Sequence, residues 1–396
     1  MIYVWLILSL LLCFLSLNKI KNNKLYILPF FYCFITCYSI LGFEVFSYSI
    51  DVPFDLYYDI NPYDNKFYVY ILSSCILFIF GFSIFNIKDN YKSSFNYNID
   101  LSRYSFYCFF IVLISYHIGY GFENIYYRQG YTISGDGVPI IRTIYTLLLP
   151  IVAILLAFDK KRIKRHFLLI ILVIMVLGSS SRNVIMIPIC YFIGTYLKNS
   201  KVSILQITFT ILISVLLLGA VMECRNNPYQ GVVPNLQYLI ENGINIKKMF
   251  ESINYLTSFS VFANMAVIQN FTLDLNSFFI SINPLPSSFL NINNMVESQK
   301  INQYAPYPAF STIVKSGPVF FSIYYISAGL LWGAIYKYIS DKNSFIKLII
   351  LILFLVYVVM STQYNLRGVN RLIYYSMIVI FLYKIKAILN FNLKKW

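Results

Sequence analysis

The sequence predicts an all-α polytopic membrane protein, and three observations predict it. Of 396 residues, 59% are hydrophobic and 12% are charged, whereas soluble domains carry about 25% charged residues. The mean hydropathy is +0.67. Apolar runs recur at roughly the 20 residues that a helix needs to cross a bilayer. Lipid offers the backbone no hydrogen-bond partner, so long continuous runs of this kind form helices.

About eleven spans are expected, at about 1–17, 25–43, 66–87, 104–120, 141–158, 167–178, 184–197, 202–221, 317–339, 348–362 and 372–389. Residues 1–17 start apolar, with no charged leader region and no small-residue cleavage signature. They are read as a first span rather than a signal peptide. The short spans 167–178 and 184–197 read as two tilted helices meeting at a break over 178–183.

Positive charge orients the chain. Twenty of the thirty-one lysines and arginines fall in alternate connections and in the tail, among them Lys19, Lys21, Lys24, Lys160, Lys161 and Lys164. Only four of the sixteen acids lie on that side, namely Asp89, Asp100, Asp159 and Asp341. The N-terminus is therefore expected outside and the C-terminus in the cytoplasm. The chain reads as a single integral membrane domain over 1–396.

The longest connection, 222–316, falls on the outer face and is too long to be idle. Within it, NIKKMFESINYL (245–256) places Ile246, Met249, Phe250, Ile253 and Leu256 on one helical face, as expected of a helix at a membrane surface. NPLPSSF (283–289) and YAPYPAF (304–310) read as proline turns. Pro318 suits the first position of the ninth span.

The net charge of +15 reflects cytoplasmic lysines rather than a nucleic-acid surface, because no basic stretch lies on a soluble domain. Six of the seven cysteines sit in apolar runs, and no C-x-x-C pair occurs. Neither a disulfide framework nor a zinc site is indicated. His, Asp and Glu show no metal-ligand spacing, so no metal or other cofactor is expected. The many tyrosines and phenylalanines at span ends read as interfacial belts.

Arginine breaks the charge pattern. Of nine arginines, Arg128, Arg142, Arg182, Arg225, Arg367 and Arg371 fall at the outer ends of spans or in outer connections. Guanidinium groups gathered there suit an anionic ligand. In GSSSRN (178–183), Arg182 stands beside small donors that could form an oxyanion site; the alternative is a snorkelling arginine. Arg367 and Arg371 are four apart and share a helical face. Arg225 has Glu223 two residues before it, as salt-bridge partner or catalytic carboxylate. Arg128 lies among tyrosines that suit a sugar or an interface. Arg142 reads as a helix-end residue. The two histidines, His117 and His166, both lie outside 222–316.

The layout resembles the O-antigen polymerases, the Wzy-type oligosaccharide repeat-unit polymerases of bacterial surface polysaccharide pathways. The resemblance covers nearly the whole chain. It rests on the many spans, the Gly-Ser-x-x-Arg-like break from Gly178 to Arg182, the large late outer segment, and Arg367 at the outer start of the last span. Ala309, Phe310, Ser311 and Gly317, then Ala328, Gly329 and Gly333, look like that family's glycine-punctuated span. The resemblance implies a metal-independent glycosyltransferase of the GT-C-like membrane type, set in the bacterial inner membrane with 222–316 in the periplasm. Its substrates would be undecaprenyl-pyrophosphate-linked glycans, its surroundings the lipid bilayer, and a partner of the family a chain-length regulator. Arg128, Arg182, Arg225, Arg367 and Arg371 would then bind pyrophosphate, with Arg182 and Arg367 also acting in catalysis. Glu223, Glu251, Asp274 and Asp136 are the candidate bases, with Glu223 the choice. The alternatives are an O-antigen ligase, whose family uses a histidine in the outer segment, a lipid-linked oligosaccharide flippase, and an acyltransferase using His117.

Overall fold

In the computed structural model, residues 2–20, 23–45, 60–61, 64–85, 101–130, 137–199, 203–225, 227–243, 245–285, 289–290, 292–301, 306–339 and 344–393 are described. They are nearly all helical. In chain order the helices are α1 (Ile2–Ile20), α2 (Ile27–Val45), α3 (Asn65–Ser83), α4 (Leu101–Tyr120), α5 (Phe122–Tyr126) and α6 (Pro139–Ala157). Then come α7 (Arg162–Gly178), α8 (Met186–Asn199), α9 (Ile204–Arg225), α10 (Val232–Asn242), α11 (Ile246–Gln269) and α12 (Leu275–Ile282). The last are α13 (Asn293–Ser298), α14 (Ala309–Val314), α15 (Pro318–Ile339), α16 (Ser344–Ser361) and α17 (Leu366–Leu393). One two-stranded ribbon joins β1 (Arg128–Gln129) to β2 (Tyr229–Gln230), antiparallel, with Arg128 opposite Gln230.

A helix lies on each of the eleven expected spans. Six segments among the described residues are long and apolar enough to cross a membrane: Ile2–Ile20, Asn65–Ser83, Pro139–Ala157, Thr208–Arg225, Pro318–Ile339 and Leu366–Ile385. The other apolar helices, such as Ile27–Leu41 and Tyr104–Tyr120, are shorter. The surface-helix expectation falls on the start of α11, where Ile246 and Phe250 are exposed; the side chains of Met249, Ile253 and Leu256 lie outside the described residues.

The chain divides into two units: residues 1–91 with 255–396, and residues 92–254. The first is built on α3 packed against α15. A side chain at Gly81 would collide with Ile326 O, and one at Gly329 with Phe78 O. These two glycines let the backbones approach, as small residues do between membrane helices. Trp332, 1% exposed, anchors the same layer against Phe354 and Tyr357.

In the second unit α6 packs between α4 and α8. The turn after α6 is held by Asp159, 2% exposed. Its carboxylate accepts from Lys161 N at 3.0 Å and Ser105 Oγ at 3.4 Å, and pairs with Lys164 Nζ at 3.2 Å. Burial alone would raise its pKa, but these donors together hold it below the ordinary carboxylate value.

Candidate functional site

The break expected over 178–183 is a helix end closed by side chains from α4, α9, α10 and both strands of the ribbon. Helix α7 stops at Gly178, and Ser180 turns into the left-handed region at φ 49°. Ser180 N donates to Leu177 O at 2.9 Å, and Ser181 N donates to Val176 O at 3.3 Å. These are the two closing bonds of a Schellman turn, whose left-handed position is usually glycine. Here the hydroxyl is used. Ser180, 0% exposed, donates through Oγ to Gln230 Oε1 and accepts from Asn235 Nδ2 at 3.0 Å.

Arginines, an asparagine and a tyrosine bond carbonyls of the same turn. Arg128 Nη1 donates to Gly178 O and to Asn124 O, each at 3.0 Å. Arg225 Nε donates to Ser180 O at 3.0 Å. Asn235 Nδ2 reaches Leu177 O at 2.7 Å, and Tyr116 OH reaches Met175 O at 2.6 Å. The open carbonyls of a helix C-terminus carry partial negative charge, so cations there are stabilising. The ribbon of β1 and β2 sets the positions of Arg128 and Gln230. Gly231, at φ 124°, lies so close to Tyr126 that a side chain would collide with its carbonyl.

Arg182 follows at once, opening a short 3-10 turn capped by Ser181, whose Oγ accepts from Asn183 N at 3.3 Å. It is partly buried. Glu223, in the last turn of α9, is 4% exposed, and α9 packs on that 3-10 turn. The structure therefore brings Arg128 and Arg225 to one helix end within the second unit, with Arg182 next along the chain and Glu223 two residues before Arg225 on the helix that packs there. Arg142 caps another: its Nε donates to Gly119 O at 3.2 Å, and its guanidinium lies 4.8 Å from the Tyr120 ring centre.

In the first unit, Arg367 repeats the device. It is 6% exposed. Its Nη1 donates to Ile280 O at 2.8 Å and Asn283 O at 3.3 Å, and its Nη2 donates to Leu285 O. Tyr374 OH donates to Ile282 O. The end of α12 and the proline turn after it are thus closed by α17. Arg367 Nε is buried with no hydrogen-bond acceptor among the described residues. Arg371, one turn further on, is exposed. Sequence reasoning named the arginines but missed their first employment, which is to close helix ends.

Of the candidate bases, Asp274 caps α12, accepting from Ser277 N at 3.0 Å. Asp136 and the Glu251 side chain lie outside the described residues. His117 is engaged at both nitrogens, with Leu113 O at 2.8 Å and Tyr126 OH at 3.2 Å. Among the described residues no three His, Cys, Asp or Glu side chains come together to hold a metal.

A cavity of about 640 Å³ opens in the first unit beside the turn joining α11 to α12, within 222–316. Asp274 N donates to Lys315 O at 2.9 Å and fastens this turn to the end of α14. A buried polar cluster lies on α11. Ser311 Oγ donates to Asn264 Oδ1 at 2.6 Å, and Gln363 Nε2 donates to Ser260 Oγ at 3.0 Å. Asn264 and Ser311 had no sequence signal, because their partners lie some fifty residues apart. The fold and composition define an all-α chain built to enter a membrane. No family model matches it, and no curated protein or solved structure does either.

Proposed function

We propose that the chain is a membrane glycosyltransferase that polymerises lipid-pyrophosphate-linked oligosaccharide repeat units at the outer face of the bacterial inner membrane. The observation that carries this reading is the end of α7, where Arg128 and Arg225 donate to carbonyls of one turn, Arg182 follows that turn in the chain, and buried Glu223 lies two residues before Arg225 on α9. Guanidinium groups fixed by backbone carbonyls have lost their conformational freedom before any ligand arrives. Donors placed in advance are what a developing pyrophosphate charge requires. In the first unit, exposed Arg371 is a candidate donor of its own.

In the reaction, a hydroxyl of the incoming unit attacks the anomeric carbon of the growing chain. The bond from that carbon to the lipid pyrophosphate breaks, and the pyrophosphate leaves with the bonding electrons. The arginines receive its charge. Glu223 is the carboxylate assigned to take the hydroxyl proton. Eleven spans, an outside N-terminus and a periplasmic 222–316 belong to this reading.

The test is a deletion strain. Loss of a polymerase leaves single repeat units on the surface lipid, and the gene restores long chains. Loss of all surface glycan would point instead to a ligase or a flippase, and unchanged chains would end the reading.

A further inference from the structure

Lys315 is a largely buried lysine with no ion-pair partner among the described residues. It is 8% exposed and lines the cavity between the 270–274 turn, Ser298 and Tyr307. Among the described residues its Nζ has neither a hydrogen-bond acceptor nor an ion-pair partner. It lies over the Tyr307 ring, 5.0 Å from Nζ to the ring centre. Asp274 lies in the same cavity, but its carboxylate caps α12 through Ser277 N. Burial pushes the Lys315 ammonium down from its ordinary pKa, and Asp274 pulls it only part of the way back. A lysine whose side chain is largely buried and has no ion-pair partner is destabilising unless something supplies one.

The walls suit a small polar ligand. Thr272 offers a hydroxyl and Asn270 the second N–H of an amide whose first is given to Ala266 O, the Ser298 hydroxyl donates to Met295 O, and Tyr307 offers a ring face. A cavity of about 640 Å³ lies within the usual range for small-molecule sites. From the cavity and its unpaired cation we infer that this is a binding site for a compact oxyanion, carboxylate or phosphate, carried on a hydroxyl-bearing ligand, with Lys315 as the anion's partner. That the ligand is an acidic sugar of the glycan rests on the polymerase reading; capture of the oxyanion does not.

The test uses the full-length protein purified in detergent, with binding followed by calorimetry and melting temperature. The probes are glucuronate, inorganic phosphate and, as the neutral control, glucose. Wild type is expected to bind glucuronate or phosphate and to bind glucose about tenfold more weakly. Tighter binding of glucuronate assigns a sugar carboxylate, and tighter binding of phosphate assigns a phosphate group. Lys315→Met should lose about tenfold or more in anion affinity while melting higher than wild type, because an uncompensated buried charge has gone. Asp274→Asn keeps a side-chain cap for Ser277 N and removes a neighbouring negative charge, so it should bind the anion several-fold tighter. Anion binding that is equal in wild type and Lys315→Met, or absent from wild type, overturns the inference. So does weaker anion binding by Asp274→Asn. None of these measurements involves chain extension, so a failure of the polymerase reading and a failure of this site are told apart.

Discussion

Ser180 gives a prediction whose sign is opposite to the ordinary one. At a usual helical position, alanine is more stabilising than glycine by about 1 kcal/mol. Ser180 instead sits at φ 49°, where any residue with a Cβ is strained by about 1–2 kcal/mol. Its hydroxyl compensates by engaging Gln230 and Asn235 in a site with no exposure. Ser180→Ala removes the hydroxyl and keeps the strain. It leaves Gln230 Oε1 short of a donor, so a loss of about 2 kcal/mol is expected. Ser180→Gly removes the same hydroxyl but relieves the strain, and should lose only about 1 kcal/mol. The glycine variant should therefore melt above the alanine variant by about 2 °C, with both below wild type. Thermal unfolding of the three detergent-purified proteins, followed by tryptophan fluorescence or dye binding, gives the order directly. An alanine variant at least as stable as the glycine variant would refute the Schellman assignment and the role given to the hydroxyl.

Three further outcomes follow from the same contacts. Arg367→Ala strips donors from the carbonyls of Ile280, Asn283 and Leu285 and should cost about 3 kcal/mol, seen as a lower melting temperature. Arg367→Lys should recover only part of it, because one ammonium cannot reproduce the planar fork. Gly329→Leu drives a side chain into the Phe78 carbonyl, and gel filtration should show aggregated rather than monodisperse protein. Asp159 has a folded-state pKa below its unfolded value, so its contribution is present above about pH 4 and is lost as pH falls through the folded value. The stability gap between wild type and Asp159→Asn, measured from pH 6 downward, should close below about pH 4. A gap that widens on acidification would contradict the contacts drawn to Asp159.

Much of the fold was legible because apolar length and proline position are local properties. The expected break over 178–183 falls between α7 and α8, and α15 opens on Pro318. The start of α11 was read from its apolar periodicity, but its continuation to Gln269 was not. That stretch carries Ser258, Ser260 and Asn264, all buried, and buried polar side chains give no apolar stripe. The site was legible by residue type and illegible by partner. Arg128, Arg142, Arg225 and Arg367 were picked out for their charge, yet each donates to carbonyls that no local pattern marks as open. Gln230 and Asn235 carried no signal at all. Lys315 follows AFSTIV, a hexapeptide that is buried throughout, and neither its serine and threonine nor the lysine marks that burial in the sequence.

The proposed activity is extension of glycans from a lipid pyrophosphate, with arginines receiving its charge. The direct measurement is reconstitution of the purified protein in liposomes with lipid-pyrophosphate-linked repeat units, reading product length on a gel. The variants should be Arg182→Ala and Arg371→Ala, since Arg367 also holds the fold. Wild type should give a ladder of lengths. Each variant should reduce extension at least tenfold, about 1.4 kcal/mol or more of transition-state stabilisation, with its melting temperature near that of wild type. Repeat units that remain single with wild-type protein, or ladders of full length from both variants, would contradict the account.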